Sequence, residues 1–195
     1  MSHSLHRKGN HESLSNDFIL IALLNKSTSK SLWQEQCEKL KKLSEICLRH
    51  KPDNYGKSAA VFHAVYTDID LVEKVLEELK RADLGISVVI TGIRDHVIAV
   101  GKKLSLPLNA VHLSLGVFGN KARLSDEKIL EVTTMCGHHC ISPFLVKKII
   151  SSLRSDQINM QDAISELSSL CSCGIFNRQR AQELLDEIVS AENPA

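Results

Sequence analysis

Four short apolar runs, Phe18–Leu24, Ala59–Val65, Ile86–Ile93 and Ala110–Val117, punctuate the first part of the chain, and all contain branched aliphatic residues. Runs of this length suit buried strands and are far too short to cross a bilayer as helices. Between them lie helical patterns over Leu32–Arg49, Ile69–Arg81 and Asp95–Leu104. Val72, Val75, Leu76 and Leu79 give the second of these an apolar face, and Thr67 or Asp68 can cap its start. Alternation of buried strands with helices predicts an α/β fold with a small, mainly parallel four-stranded sheet and flanking helices.

Beyond Leu124 the pattern is helical throughout. Ser125 can cap a helix through Met135. Ser142 followed by Pro143 supplies an oxygen cap and a proline whose missing N–H costs nothing in a first turn. Asn159 with Asp162 opens a further helix, and Asn177 opens the last. The expected organisation is a mobile N-terminal tail over residues 1–16, an α/β domain over 17–120 and an all-helical C-terminal module over 124–192. The stretch "FGNKARLSD" at 118–126 is the joint, and no internal repeat is visible.

Composition narrows the function. A net charge of +1 over 195 residues gives no electrostatic footprint for nucleic acid or a membrane surface. Five Phe, two Tyr and one Trp are a poor stacking platform for single strands. Phe18–Leu24 follows a basic stretch but lacks the length and cleavage site of a signal peptide. The expectation is a cytoplasmic protein without nucleic-acid or membrane partners, whose thiols stay reduced. Clustered cysteines there favour metal or redox chemistry over disulfides.

Four of the six cysteines fall in two short stretches, "MCGHHCIS" at 135–142 and "LCSCGIF" at 170–176. Cys136, His138 and Cys140 precede the Ser142 cap, and Cys171 and Cys173 precede the Asn177 cap. Both groups therefore sit at helix N-termini, where free N–H groups and the helix dipole favour thiolates or the sulfides of a cluster. If the two helices lie side by side, the groups face each other. Cys136, His138, Cys140, Cys171 and Cys173 are the candidate metal ligands, and nine histidines in the chain agree with a metal site. A reactive dithiol or plain packing are the alternatives. Cys37 and Cys47, in a helical pattern, are expected to pack.

The stretch Cys136–Leu185 resembles the small helical domain of bacterioferritin-associated ferredoxin and its relatives. The residues that carry the resemblance are Cys136-Gly137-His138, then His139-Cys140-Ile141-Ser142 at a helix start, and a family-like gap to Cys171 and Cys173 before the last helix. The family's module holds a two-iron two-sulfur cluster through four cysteines. The resemblance thus implies an iron–sulfur protein in electron transfer, cluster handling or redox sensing, with a protein redox partner. Its ligand set falls on Cys136, His138, Cys171 and Cys173. The chain departs from the family pattern by placing His138 where a cysteine stands and by closing on C-x-C instead of C-x-x-C. Cys140 could supply the fourth thiolate in place of His138. Zinc suits either set, which makes a zinc-stabilised interaction or regulatory protein the second reading.

A third reading is an α/β enzyme with its site at the strand ends near Thr67, Asp68, Arg94 and His96. Asp95 beside His96 could orient it as a base, or cap the helix that starts there. "NYGKSA" at 54–59 contains GKS but lacks the phosphate-loop context, and is read as a turn with Gly56 at positive φ. His63 and His112 lie in strand patterns and are expected to pack. His3 and His6 are expected in the tail, or folded over the cysteine site.

Overall fold

The computed structural model describes residues 6–25 and 29–191. Its centre is β1 (Phe18–Leu23), a strand buried on both faces. Phe18, Leu20 and Ala22 enter one core, and Ile19 and Ile21 enter another on the opposite face, as the two-residue period of a strand requires. β3 (Val61–Tyr66) and β4 (Ser87–Thr91) flank it, with Leu20 opposite both Ala64 and Ile90. β2 (Asn54–Lys57) pairs with β3 to complete the order β2-β3-β1-β4.

Every pairing in this sheet is antiparallel, which corrects the mainly parallel sheet expected from the sequence. The reason lies in β2. After α2 (Lys30–Arg49) the chain runs up β2 and turns back into β3, so β3 opposes β1. α3 (Ile69–Ala82) then carries the chain from β3 over β1 to β4. The result is a β-α-β-β-α-β arrangement in which each βαβ unit is split by a strand of the other. The sequence pattern of strands separated by helices is real. One missed hairpin reverses the direction of half the sheet.

The fourth expected strand, Ala110–Val117, is not a strand. After α4 (Arg94–Lys103) the chain runs as exposed coil, with Leu113 60% and Leu115 80% exposed. Its apolar residues alternate as in a strand, but Asn54–Lys57 supplies the fourth strand instead. Gly56, expected in a turn at positive φ, lies inside β2.

One face of the sheet is covered by α2 and α3 through Leu40, Leu43, Cys47, Val72 and Val75. The other face receives the helical module: α5 (Glu127–Thr133), α6 (Pro143–Arg154), α7 (Met160–Ser169) and α8 (Arg178–Ser190). Ile19, Ile21 and Val65 of the sheet share a core there with Val146, Ile149, Leu167, Phe176 and Leu184. The caps follow the sequence closely. Ser142 accepts from the N–H of Phe144, Asn159 from Asp162 and Asn177 from Arg180. Asp126, not Ser125, precedes α5, and Ile93, not Asp95, precedes α4. Among the described residues no helix is long and apolar enough to cross a membrane.

Asp17, immediately before β1, ties these layers together. Its carboxylate has no exposed side-chain surface and meets Arg7 Nη1 at 2.7 Å, Arg180 Nη1 at 3.0 Å and Asn177 Nδ2 at 3.0 Å. Arg180 also donates to Ser13 Oγ at 2.9 Å, just beyond the start of α1 (His11–Leu14). Two guanidiniums buried around one carboxylate make its removal costly, because Arg7 loses its partner and Arg180 keeps only Glu131 at 4.0 Å. Asp17→Ala is expected to lower unfolding free energy by about 3–5 kcal/mol, measured by urea denaturation. A loss within about 0.5 kcal/mol, typical of a surface change, would show that the network does not hold the layers.

Candidate functional site

The two cysteine stretches form two adjoining turns. In the first, the chain leaves α5, and the Cys136 carbonyl accepts from His139 N at 3.0 Å before Ser142 starts α6. His139 sits at φ +56 to close this turn. In the second, the chain leaves α7, and the Cys171 carbonyl accepts from Gly174 N at 2.9 Å before Asn177 starts α8. The side-by-side placement of α6 and α8 brings the two turns together, as the cap positions implied.

Three features fix the turns relative to each other. Arg7, while paired with Asp17, donates through Nη2 to the Met135 carbonyl at 3.1 Å and to the Ile175 carbonyl, one from each turn. Asn54 of β2 donates to the Phe176 carbonyl at 2.9 Å, and Asp53 accepts from Arg178 N at 2.6 Å. Gly174 and Gly56 pack backbone to backbone. A Cβ on Gly56 would overlap the Cys173 carbonyl, and one on Gly174 would overlap the carbonyl of Tyr55. This close approach, together with φ +66 at Gly174, requires glycine there.

Within this frame two side-chain contacts meet at Cys173. Cys171 Sγ lies 3.6 Å from Cys173 Sγ, and Cys173 Sγ lies 3.5 Å from His138 Nδ1. Cys140 Sγ also faces the His138 carbonyl at 3.9 Å. Cys136 and Cys171 are buried, Cys173 is half-buried and Cys140 is exposed.

The thiols differ in acidity. The neighbouring Cys171 thiol and burial push the Cys136 thiol well up. Cys140 is raised by the charge on Cys136. At Cys171 the Cys136 thiol acts downward, but the Cys173 thiol and burial outweigh it, and the net shift is upward. Cys173 shifts the other way. The Cys171 thiol, helped by the N–H of Ile175 and opposed by burial, brings it down to about 7. An ordinary thiol titrates near ~8.5, so Cys173 alone of the four is favoured as thiolate near neutrality.

This geometry corrects the metal readings. Cys136, His138, Cys140, Cys171 and Cys173 lie in two adjoining turns, but the side-chain contacts among them are those of Cys173 with Cys171 and with His138. Among the described residues no group of three or more His, Cys, Asp or Glu side chains is arranged to hold a metal ion. The expected two-iron two-sulfur cluster, with its roles in electron transfer, cluster handling and redox sensing, is therefore not supported, and neither is the zinc alternative. Of the resemblance to the ferredoxin-like module, what stands is an all-helical module following an α/β part.

The enzyme reading placed its site at the strand ends of a parallel sheet, and the sheet is antiparallel. Asp68 is spent capping α3 through the N–H of Asp70. His96 packs edge-on against His11 at 5.6 Å between ring centres, near Phe18 at 6.3 Å. His6 Nδ1 meets Ser114 Oγ at 3.0 Å, and His3 lies outside the described residues. A cavity of about 610 Å³ beside α6 and α8, lined by Asp126, Lys147, Ser151 and Arg154 among others, includes none of the cysteines. Cys47 is packed as expected, its burial raising the thiol to about 12.

Sequence reasoning missed Arg7, Asp17, Gly56 and Gly174 as parts of the site. The glycine directly after Cys171-Ser172-Cys173 was the one local signal. Nothing local marks Arg7, whose partners lie far along the chain. Comparison with protein-family models, curated proteins and solved structures finds no match to this chain.

Iodoacetamide labelling of the reduced protein tests the order of acidity. Label at Cys173 is expected to rise with pH through a midpoint of about 7, because alkylation follows the thiolate fraction. Cys136 and Cys171 should remain unlabelled through that range, and exposed Cys140 should label only at higher pH. Equal labelling of Cys140 and Cys173 at pH 7 would contradict the assignment.

Proposed function

We propose that the chain is a thiol–disulfide exchange protein, with Cys173 as the attacking thiolate and Cys171 as the resolving thiol. The observation that carries this reading is the placement of half-buried Cys173 between a second thiol at 3.6 Å and an imidazole nitrogen at 3.5 Å. That is the arrangement of a nucleophile with its resolving group and a proton carrier beside it.

The steps balance as follows. The Cys173 thiolate attacks one sulfur of a disulfide R–S–S–R′, forming a mixed disulfide and releasing R′S⁻. Cys171 then loses its proton and attacks Cys173, forming the Cys171–Cys173 disulfide and releasing RS⁻. Two electrons pass from the protein dithiol to the incoming disulfide, and the two leaving thiolates take up protons. His138 Nδ1, 3.5 Å from the Cys173 sulfur, is placed to hydrogen-bond to it before attack, and the proton that Cys171 gives up passes through solvent to the released thiolate. The N–H of Ile175 acts downward on the pKa of both thiols and so favours charge on either.

The geometry of the turn gives the pair its poise. A disulfide bond is about 2.05 Å long, so the two sulfurs have only a short way to move. A ring closed over one intervening residue is nevertheless strained, and strain makes a disulfide readily reducible. A cytoplasmic setting suits such a pair, since ambient thiols would reset it, and a protein bearing an accessible disulfide is the partner this chemistry calls for. The helical module serves as scaffold, with two capped helices presenting the turns.

The test is interception of the intermediate. Cys171→Ser, mixed with oxidised glutathione at pH 7.5 and read by mass spectrometry, should stop as a glutathione adduct on Cys173. The unaltered chain should pass on to the internal disulfide, losing two hydrogens. Reaction of Cys173→Ser at the same rate as the unaltered chain would remove Cys173 from the role.

A further inference from the structure

We infer that residues 110–117 of one copy of this chain pair, as an added strand, with the open edge of β4 in a second copy, which returns the same contact and closes a two-fold dimer.

The acceptor is β4. It ends the sheet, with β1 on one side and no strand on the other among the described residues. Its residues, Ser87, Val88, Val89, Ile90 and Thr91, include no charge, proline or glycine. Edges are normally blunted by charge, proline or a cover, because their outward N–H and C=O groups recruit further strands. The opposite edge is treated in this way: β2 is short, carries Lys57, and has the C-x-C turn packed on Gly56. Val88, Val89 and Ile90 stay half-buried, whereas Phe18–Ala22 of the neighbouring β1 are fully buried.

The donor is the stretch 110–117. It is coil, exposed at every residue, and free of charge and proline. Val111, Leu113, Leu115 and Val117 alternate with His112, Ser114 and Gly116, which is the two-residue period of a strand with one apolar face. Ser114 Oγ, in the polar row, meets His6 Nδ1 at 3.0 Å. In the apolar row Leu113 is 60% and Leu115 80% exposed. Contiguous apolar surface of this kind marks an interaction site.

The two patterns fit each other. The strands pair antiparallel, like every other pair in this sheet. With Leu113 opposite Ile90, Leu115 falls opposite Val88 and Val117 opposite Ile86. Ile86, Val88 and Ile90 all face the core beneath α2 and α3, so the apolar row extends that core. His112 and Ser114 fall opposite Thr91 and Val89 on the other face. A slip of one residue would reverse the faces, which fixes the register.

The occupant is a second copy because donor and acceptor belong to one chain, one of each, separated only by α4 and the residues that link it to either side. Within one chain the stretch does not join the sheet. Reciprocal exchange covers both at once and closes, whereas one-way addition would grow into a fibre.

Sedimentation equilibrium and hydrogen exchange on the reduced full chain test this independently of any thiol chemistry. The expected mass is twice the 21.7 kDa of one chain, with slowed amide exchange over 110–117 and β4. Leu115→Lys alters an exposed side chain, so the fold should persist by circular dichroism. It should raise the dimer Kd by at least about tenfold, since an ammonium would have to be buried beside Val88. A synthetic peptide of residues 109–118 in excess should split the dimer into single chains with peptide bound. A monomer that exchanges rapidly over 110–117 overturns the inference. So does a monomer protected there, which would place the stretch on its own chain. A dimer that Leu115→Lys and the peptide both leave intact overturns it too, since its interface would lie elsewhere.

Discussion

The structure depends on a carboxylate that never meets water. Asp17 stands at the mouth of β1 and pairs with two guanidiniums, one from the N-terminal segment and one from the last helix, and Glu131 lies 4.0 Å from the second. Desolvating three charged groups is expensive, and it is tolerated only because each is paired and hydrogen-bonded in place. The consequence is register. β1 cannot slide, α8 cannot rotate, and Arg7 is left with one arm directed at the two cysteine turns. An apolar substitute could fill the same space, but it would not set the turns at a fixed separation.

That separation decides what the sulfurs can do. Cys173 lies between the Cys171 thiol and the His138 ring, and it is the thiol at which negative charge is best received. Thiols organised in this way differ in acidity instead of sharing a common centre. Graded acidity suits exchange, which needs one good nucleophile, one good leaving group and thiols that stay protonated until called on. The backbone contact of Gly56 with Cys173 and Gly174 adds a mechanical link, because the C-x-C turn is pressed directly against the edge strand of the sheet.

Much of the local structure was legible. Ser142-Pro143, Asn159 with Asp162, and Asn177 announce their helices by side-chain chemistry, and the structure forms each cap. Those caps also revealed that the two cysteine groups occupy equivalent positions before neighbouring helices. What failed was everything set by distant partners. Asn54–Lys57 reads as a turn because it is short, polar and contains glycine, yet it pairs with β3 and thereby reverses half the sheet. Ala110–Val117 reads as a strand because it alternates, yet it finds no sheet to join. Cys171, Cys173 and His138 do meet, but the group was assigned to a metal, since spacing alone cannot say whether side chains converge on one ion. Asp17 and Arg180 carry no pattern at all, their partnership existing only in the folded chain.

The account stands or falls on whether Cys171 and Cys173 exchange between dithiol and disulfide as a unit. An equilibrium titration of the full chain in glutathione redox buffers, read as the mass of the peptide spanning both residues, tests this most directly. A strained ring and a stabilised Cys173 thiolate both favour the reduced form, so a single two-electron transition is predicted at a potential above the roughly −300 mV typical of structural disulfides. A pair that stays reduced at every poise, or that oxidises only as separate glutathione adducts, would contradict it.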